Sequence, residues 1–173
     1  AVDLVIDHFI KTGHEKIGIL SGIEYTKESR NEIADPRKQF FQQRLTRLRM
    51  FHPEFMIAGE FTVNGGYQGM KHFLETAHEL PTALFASSDA LAVGALRAIQ
   101  EAGLKVPEDI SVIGFNDVSV AKYISPALST VHVPTEWMGE LALATMVDVA
   151  REKAPVPRKI TIGTQLVLRD SAK

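Results

Sequence analysis

Four places in the chain put polar or aromatic side chains where a short apolar run gives way to a loop or helix start. Arg37 follows Asp35-Pro36, Phe61 follows Gly59-Glu60, Ser87-Ser88-Asp89 follows the run 82–86 (TALFA), and Asn116-Asp117 follows the run 110–115 (ISVIGF). Arg37 can give two parallel hydrogen bonds to adjacent oxygens, which suits vicinal hydroxyls or a carboxylate. It falls in the first turn of a helix, where the macrodipole opposes a cation, so it needs a partner. Two readings stand side by side: a surface pair with Asp35, or a contact to something in a cleft. Phe61 offers its ring to a sugar face or a base, or else to the helix that carries Tyr67. Ser88 or Asp89 suits a helix N-cap, which leaves the rest of that trio free to face a cleft. Asn116 beside Asp117 supplies donors and acceptors together, although both residue types also favour turns.

Catalytic chemistry finds little support. The sequence has no G-x-S-x-G elbow, no Walker-type phosphate loop and no H-E-x-x-H. Asn64-Gly65-Gly66-Tyr67-Gln68-Gly69 is glycine-rich but lacks the order of a dinucleotide fingerprint, and reads better as a helix start. The six histidines are scattered, and His8 and His14 straddle a helix end without ligand spacing. Asp89 and Asp117 could serve a phosphotransfer, but no matching lysine motif accompanies them. The absence of cysteine excludes disulfides and thiolate metal sites and suits a reducing cytoplasm. The expectation is a binding protein, not an enzyme, with no cofactor and no metal. A net charge of −2 leaves no electrostatic footprint for nucleic acid, and the apolar runs are too short to span a membrane.

The elements that must position these residues follow from periodicity. Val2, Val5, Ile6, Phe9 and Ile10 form a helical stripe that ends at Gly13. Residues 16–20 (KIGIL) read as a buried strand, and 21–35 as a polar loop. Asp35-Pro36 starts a helix running to about Met50. A weak strand at 56–58 and a turn-rich stretch at 59–66 precede a helix at 67–77. The strand 82–86, the helix 89–102 closed by Gly103, and the strand 110–115 come next. A short helix at 118–123, an extended stretch at 128–132, a long helix at 134–153 broken by Pro155 and Pro157, and a last strand or hairpin arm at 159–168 complete the chain. Continuous apolar strands alternating with helices predict a parallel sheet covered on both faces. In such a sheet ligands sit beyond the carboxyl ends of the strands.

PTALFASSDALAVGALRAIQEAGLKVPEDISVIGFND (81–117) closely resembles the effector-binding core of the lactose/galactose repressor (LacI–GalR) family of bacterial transcription regulators. The resemblance continues through SPALSTVHVPTEWMGELA and LVLRDS, and upstream through HFIKTGHEKIGILSG; only the loop 23–34 departs from the common pattern. It implies a periplasmic-binding-protein-like I fold, a three-layer α/β/α arrangement with a parallel sheet. The implied division is 1–132 as the C-terminal subdomain, 133–157 as a returning helix of the N-terminal one, and 158–173 as closing strands. The chain then reads as a fragment of a longer, cytoplasmic regulator whose helix-turn-helix headpiece would hold operator DNA.

By position, the resemblance makes Arg37 a sugar-contacting arginine, Phe61 a stacking aromatic, Ser88 a polar cleft residue beside Asp89, and Asn116 the counterpart of an Asp that holds ligand hydroxyls. Val133 replaces another polar cleft residue. The effector it implies is a sugar or related metabolite, and the Asp-x-Arg arrangement is reminiscent of galactoside-type regulators. A secreted solute-binding protein for transport is the alternative. The apolar residues of the helix 89–102 cover more than the ~100° that one packed face needs. That surplus, with Tyr123 and Ile124 lying nearby in the fold that the resemblance implies, suggests a homodimer contact through Val93, Leu96, Tyr123 and Ile124, or else a helix buried within one monomer.

Overall fold

Alternation along each short apolar strand sorts its side chains onto two faces, and both faces are covered by helices. The computed structural model describes residues 1–29, 31–152 and 157–173. In chain order the elements are α1 (Val2–Lys11), β1 (Ile17–Ile23), α2 (Pro36–Leu48), β2 (Met56–Glu60), α3 (Val63–Thr76), β3 (Ala83–Ala86), α4 (Asp89–Glu101), β4 (Ser111–Asn116), β5 (Ser129–His132), α5 (Thr135–Glu152) and β6 (Gln165–Val167). They form one sheet in the order β2-β1-β3-β4-β5-β6. The first five strands are mutually parallel and β6 joins β5 antiparallel. The expected three-layer α/β/α architecture is therefore present, with an antiparallel edge that the parallel expectation did not include.

Leu20, Leu84 and Val112 point to one face, where they meet Met70 of α3 and Leu91, Ala95 and Ile99 of α4. Ile19, Phe85, Ile113 and Val131 point to the other, against Val5, Ile6 and Phe9 of α1 and Phe41 and Leu45 of α2. The helix α5 contributes to neither cluster, and Trp137, Leu143 and Met146 on it are exposed. Asp35 and Thr62 cap α2 and α3 by accepting from Arg37 and Gly65 backbone N–H groups, which fixes where each helix begins.

Several boundaries differ from the sequence expectation. The strand β1 continues to Ile23, because Ser21, Gly22 and Ile23 pair with Ala58, Gly59 and Glu60 of a correspondingly longer β2. The loop beyond it is folded back by a bridge between Tyr25 and Glu32. The helix α3 begins at Val63, four residues before its apolar stripe is apparent. Residues 119–122 make a single 3₁₀ turn, and the terminal strand is only three residues long. The expected helix end at Lys153 and the break at Pro155 lie outside the described residues.

The largest correction concerns α4. Its wide apolar arc is used inside the chain, between the sheet and α3, and Leu96 is only 3% exposed. The two helices approach so closely that a Cβ on Gly94 would collide with the Val63 carbonyl oxygen, and one on Gly66 with that of Leu91. Leu96 is thus a core residue, not a free interface residue. Gly94→Ala should lower unfolding free energy by about 1–3 kcal/mol, the usual cost of overpacking. A Cβ on Gly139 of α5 would meet nothing within 4 Å, so Gly139→Ala should instead add up to about 1 kcal/mol through helix propensity. Urea titration of the two variants checks the contrast.

Candidate functional site

Parallel strands place the ends of β1, β2, β3, β4 and β5 on one edge of the sheet, and the singled-out residues gather there. Asp35 Oδ1 accepts both from the Arg37 backbone N–H and from Arg37 Nε, each at 2.9 Å. Arg37 Nη1 donates to the Ser87 carbonyl oxygen at 2.7 Å, beyond the end of β3. The guanidinium carbon lies 5.3 Å from the ring centroids of both Phe61 and Phe115, within cation–π range of each. Arg37 is therefore held from α2, β2, β3 and β4 at once. Its side chain is still 28% exposed, and its Nη2 has no hydrogen-bond partner among the described residues. The two sequence readings of Arg37 merge: it pairs with Asp35, and that pair stands on the edge where a ligand would lie.

The Phe61 ring covers Gly22 so closely that any Cβ there would collide with it. This is why the β1 end carries glycine and how a loop phenylalanine finds cover. Ser88 is the N-cap of α4, accepting from the Leu91 N–H at 3.3 Å, and is nearly buried. Its neighbour Ser87 takes the bracing role through its carbonyl, and its Oγ accepts from the Gly22 N–H.

Asp89 has no accessible surface. Its Oδ1 accepts from Thr130 Oγ1 at 2.6 Å and its Oδ2 from the Val118 N–H at 2.8 Å. Burial raises its pKa, and these hydrogen bonds offset that only in part. As folded here, Asp89 cannot touch a ligand; it ties the start of α4 to β5 and to the segment after β4. That corrects its expected role from contact to support.

The segment it supports is strained. Asn116 (φ +116) and Asp117 (φ +59) are consecutive non-glycine residues with positive φ, a conformation that persists only where surrounding contacts impose it. Asp117 Oδ1 accepts from Arg169 Nη2 at 2.6 Å, and Oδ2 lies 3.0 Å from His132 Nδ1. Burial works against the charged form of Asp117, but Arg169 outweighs it, with a smaller share from His132, and the net shift is downward. An ionised carboxylate can only accept, so Nδ1 of His132 carries a proton. Arg169 is in turn fixed by donating to the Leu128 carbonyl at 2.6 Å. Asn116 is thereby presented, partly exposed, in register beside His132.

A model of the periplasmic binding protein-like domain matches residues 6–172. The chain belongs to that family. This periplasmic binding protein-like domain is 40% identical over 177 residues to the HTH-type transcriptional regulator GalR of Streptococcus thermophilus, covering 100% of this chain and 52% of the relative. Among solved structures, the transcriptional regulator CelR–cellobiose complex superposes with a TM-score of 0.82 at 30% identity, over 95% of this chain and 49% of that one. The Lac repressor bound to ONPG in the repressed state gives 0.87 at 26% identity, over 99% and 50%. The expected kinship with LacI–GalR regulators holds, and the domain spans about half the length of the curated relatives it matches.

Sequence reasoning singled out Arg37, Phe61, Ser88, Asp89 and Asn116. The periplasmic binding protein-like domain brings all five to one edge, with Asp35, Ser87, Phe115, Asp117, His132 and Arg169 bracing them. The only advance signal for His132 was its place at the end of an extended run. Among the described residues no three His, Cys, Asp or Glu side chains stand close enough to share a metal ion.

The two aspartates make opposite demands on pH. Asp117, with its pKa depressed by folding, contributes stability that is present above the unfolded value of about 4 and lost as pH falls through its folded pKa. Asp89, with its pKa raised, costs stability once pH exceeds the unfolded value, and the cost levels off above its folded pKa. The deficit of Asp117→Asn against the unsubstituted chain should therefore shrink as pH drops from 7 to 3. Any deficit of Asp89→Asn should grow over the same range, in urea unfolding followed by circular dichroism.

Proposed function

We propose that this periplasmic binding protein-like domain is the effector-sensing part of a LacI–GalR-type transcription regulator, taking a sugar or related metabolite at the carboxyl edge of its sheet. The observation that carries this is the Arg37 clamp, a guanidinium held within 5.3 Å of two aromatic ring centroids, with one amino group unpaired among the described residues, at the edge where ligands of such sheets lie. The relatives add support. They are transcription regulators, and structural neighbours hold a disaccharide (cellobiose) and a glycoside (ONPG). That is why a transport role is not carried forward.

In this reading Arg37 and Asn116 contact the effector, Phe61 stacks on it, Ser88 and Asp89 shape the wall behind, and no enzymatic step occurs. Effector binding shifts the balance between two arrangements of the whole regulator, which changes operator affinity in a part of the protein outside this chain. The regulator works in the cytoplasm as a homodimer. Residues 1–132 form one subdomain, α5 belongs with the other, and 158–173 close the sheet. Tyr123, 84% exposed beside the exposed Val118 and Val120, is the centre of the dimer contact, with the part-buried Val93 and Ile124 at its margin.

The test is calorimetric titration with galactose, methyl β-galactoside, cellobiose and ribose. At least one should bind, and Arg37→Ala should weaken it by about 1.5–3 kcal/mol, the range for a hydrogen bond from a charged group. Silence across the panel would overturn the sugar-sensing reading, and an unchanged affinity in the variant would remove Arg37 from the site. Tyr123→Asp should shift sedimentation toward the monomer; an unchanged profile would place the dimer contact elsewhere.

A further inference from the structure

The charge state of the edge narrows the kind of effector it can hold. Asp35 is a buried carboxylate, its side chain 4% exposed. Both of its hydrogen bonds come from one residue, the backbone N–H and the Nε of Arg37. Its Oδ2 is buried and receives no hydrogen bond. The negative charge of Asp35 is thus committed to the Arg37 guanidinium. The other arginine at this edge, Arg169, is matched in the same way by Asp117 at 2.6 Å. Lys38, next along α2, lies 3.8 Å from Glu32.

Past the ends of β1 and β2 opens a cavity of about 650 Å³ lined by Glu24, Tyr25, Glu60 and Phe61 among others, and Phe61 is one of the two rings that Arg37 faces. Glu24 and Glu60 are exposed, and neither makes an ion pair among the described residues. Among the described residues, the edge therefore carries two arginines matched by aspartates, and the cavity beside Phe61 carries two carboxylates without an ion pair. Among the described residues, a ligand phosphate or carboxylate reaching Arg37 or Arg169 would meet an arginine already matched by an aspartate, and in the cavity it would meet two like charges. A hydroxyl can accept from Arg37 Nη2 and donate to a carboxylate, which is what the edge supplies.

From this, and resting on the sugar-sensing reading above, we infer that Asp35 is a specificity-determining residue. By neutralising Arg37 it selects an uncharged polyhydroxylated effector and rejects its phosphorylated or carboxylated counterpart. Asp35 acts through Arg37, so it is a positioning and charge-setting residue, not a direct contact.

The experiment titrates two sets of sugars matched except at C6: galactose, galacturonate and galactose 6-phosphate; and glucose, glucuronate and glucose 6-phosphate. Unsubstituted protein should bind the neutral member of a set at least tenfold more tightly than either anion. Asp35→Asn keeps an N-cap acceptor but removes the charge. It should cut that preference at least threefold, with the anion gaining affinity in absolute terms, an effect that mere loosening of α2 would not produce. Asp35→Ser, a second cap-competent variant, should do the same. Equal or tighter binding of an anion by the unsubstituted protein overturns the inference, as does an unchanged preference in whichever variant folds by circular dichroism. If no member of either set binds and the panel above is silent as well, the sugar-sensing reading itself fails, a result distinct from the loss of charge selectivity.

Discussion

A parallel sheet with helices on both faces leaves its strands no surface with which to meet a ligand. Ile19, Leu20, Leu84, Phe85, Val112 and Ile113 are all buried, each against one helical layer or the other. Such strands can act only at their ends, and because five of the six, β1 to β5, run the same way, their carboxyl ends share one edge. Everything that chemistry requires is therefore concentrated in the residues just past those ends. The problem the fold must then solve is to hold several polar loops still without the help of a core.

Two brackets do this, and each joins distant parts of the chain. Around Arg37, the cap of α2, the end of β3 and two phenylalanines converge on one guanidinium. Around Asp89, the start of α4 is tied to Thr130 of β5 and to the Val118 amide. The first bracket leaves its arginine partly exposed and one amino group over. The second is closed to solvent and entirely consumed. The difference in exposure separates a group that can meet a ligand from one that can only position others.

Much of this architecture was legible in the sequence, for reasons that can be stated. Residues 82–86 and 110–115 are short, continuously apolar and bounded by capping residues, which is what strands buried on both faces require. Arg37 after Asp35-Pro36 could be read as a cation at a helix start in need of an anion, a local argument that the Asp35 pairing matches. The rest was not local. Ser87 braces Arg37 across 50 positions, and Arg169 reaches Asp117 across 52; neither leaves a periodic trace. The arc of α4 is too apolar for one packed face, and the sequence shows that much. A helical wheel counts apolar residues without saying what covers them, and here α3 does so through glycines that look like breakers in isolation. Those same glycines hid the first turn of α3.

The turn at Asn116 and Asp117 shows how the edge controls its own electrostatics. Asp89 has its pKa raised chiefly by burial, with a small further push from the charge of nearby Asp117. Their surroundings push them apart: Asp89 is buried without a cation, whereas Asp117 has Arg169 and His132. The carboxylate with the cation is the easier of the two to keep charged, and it is the one that pins the positive-φ turn. Between them Asn116, the end of β4, carries a neutral amide where a carboxylate was expected from the family pattern. An amide gives up some strength as an acceptor but supplies a donor as well. The exchange leaves the turn with an arginine-matched carboxylate in Asp117, a buried carboxyl in Asp89 and a partly exposed neutral amide in Asn116.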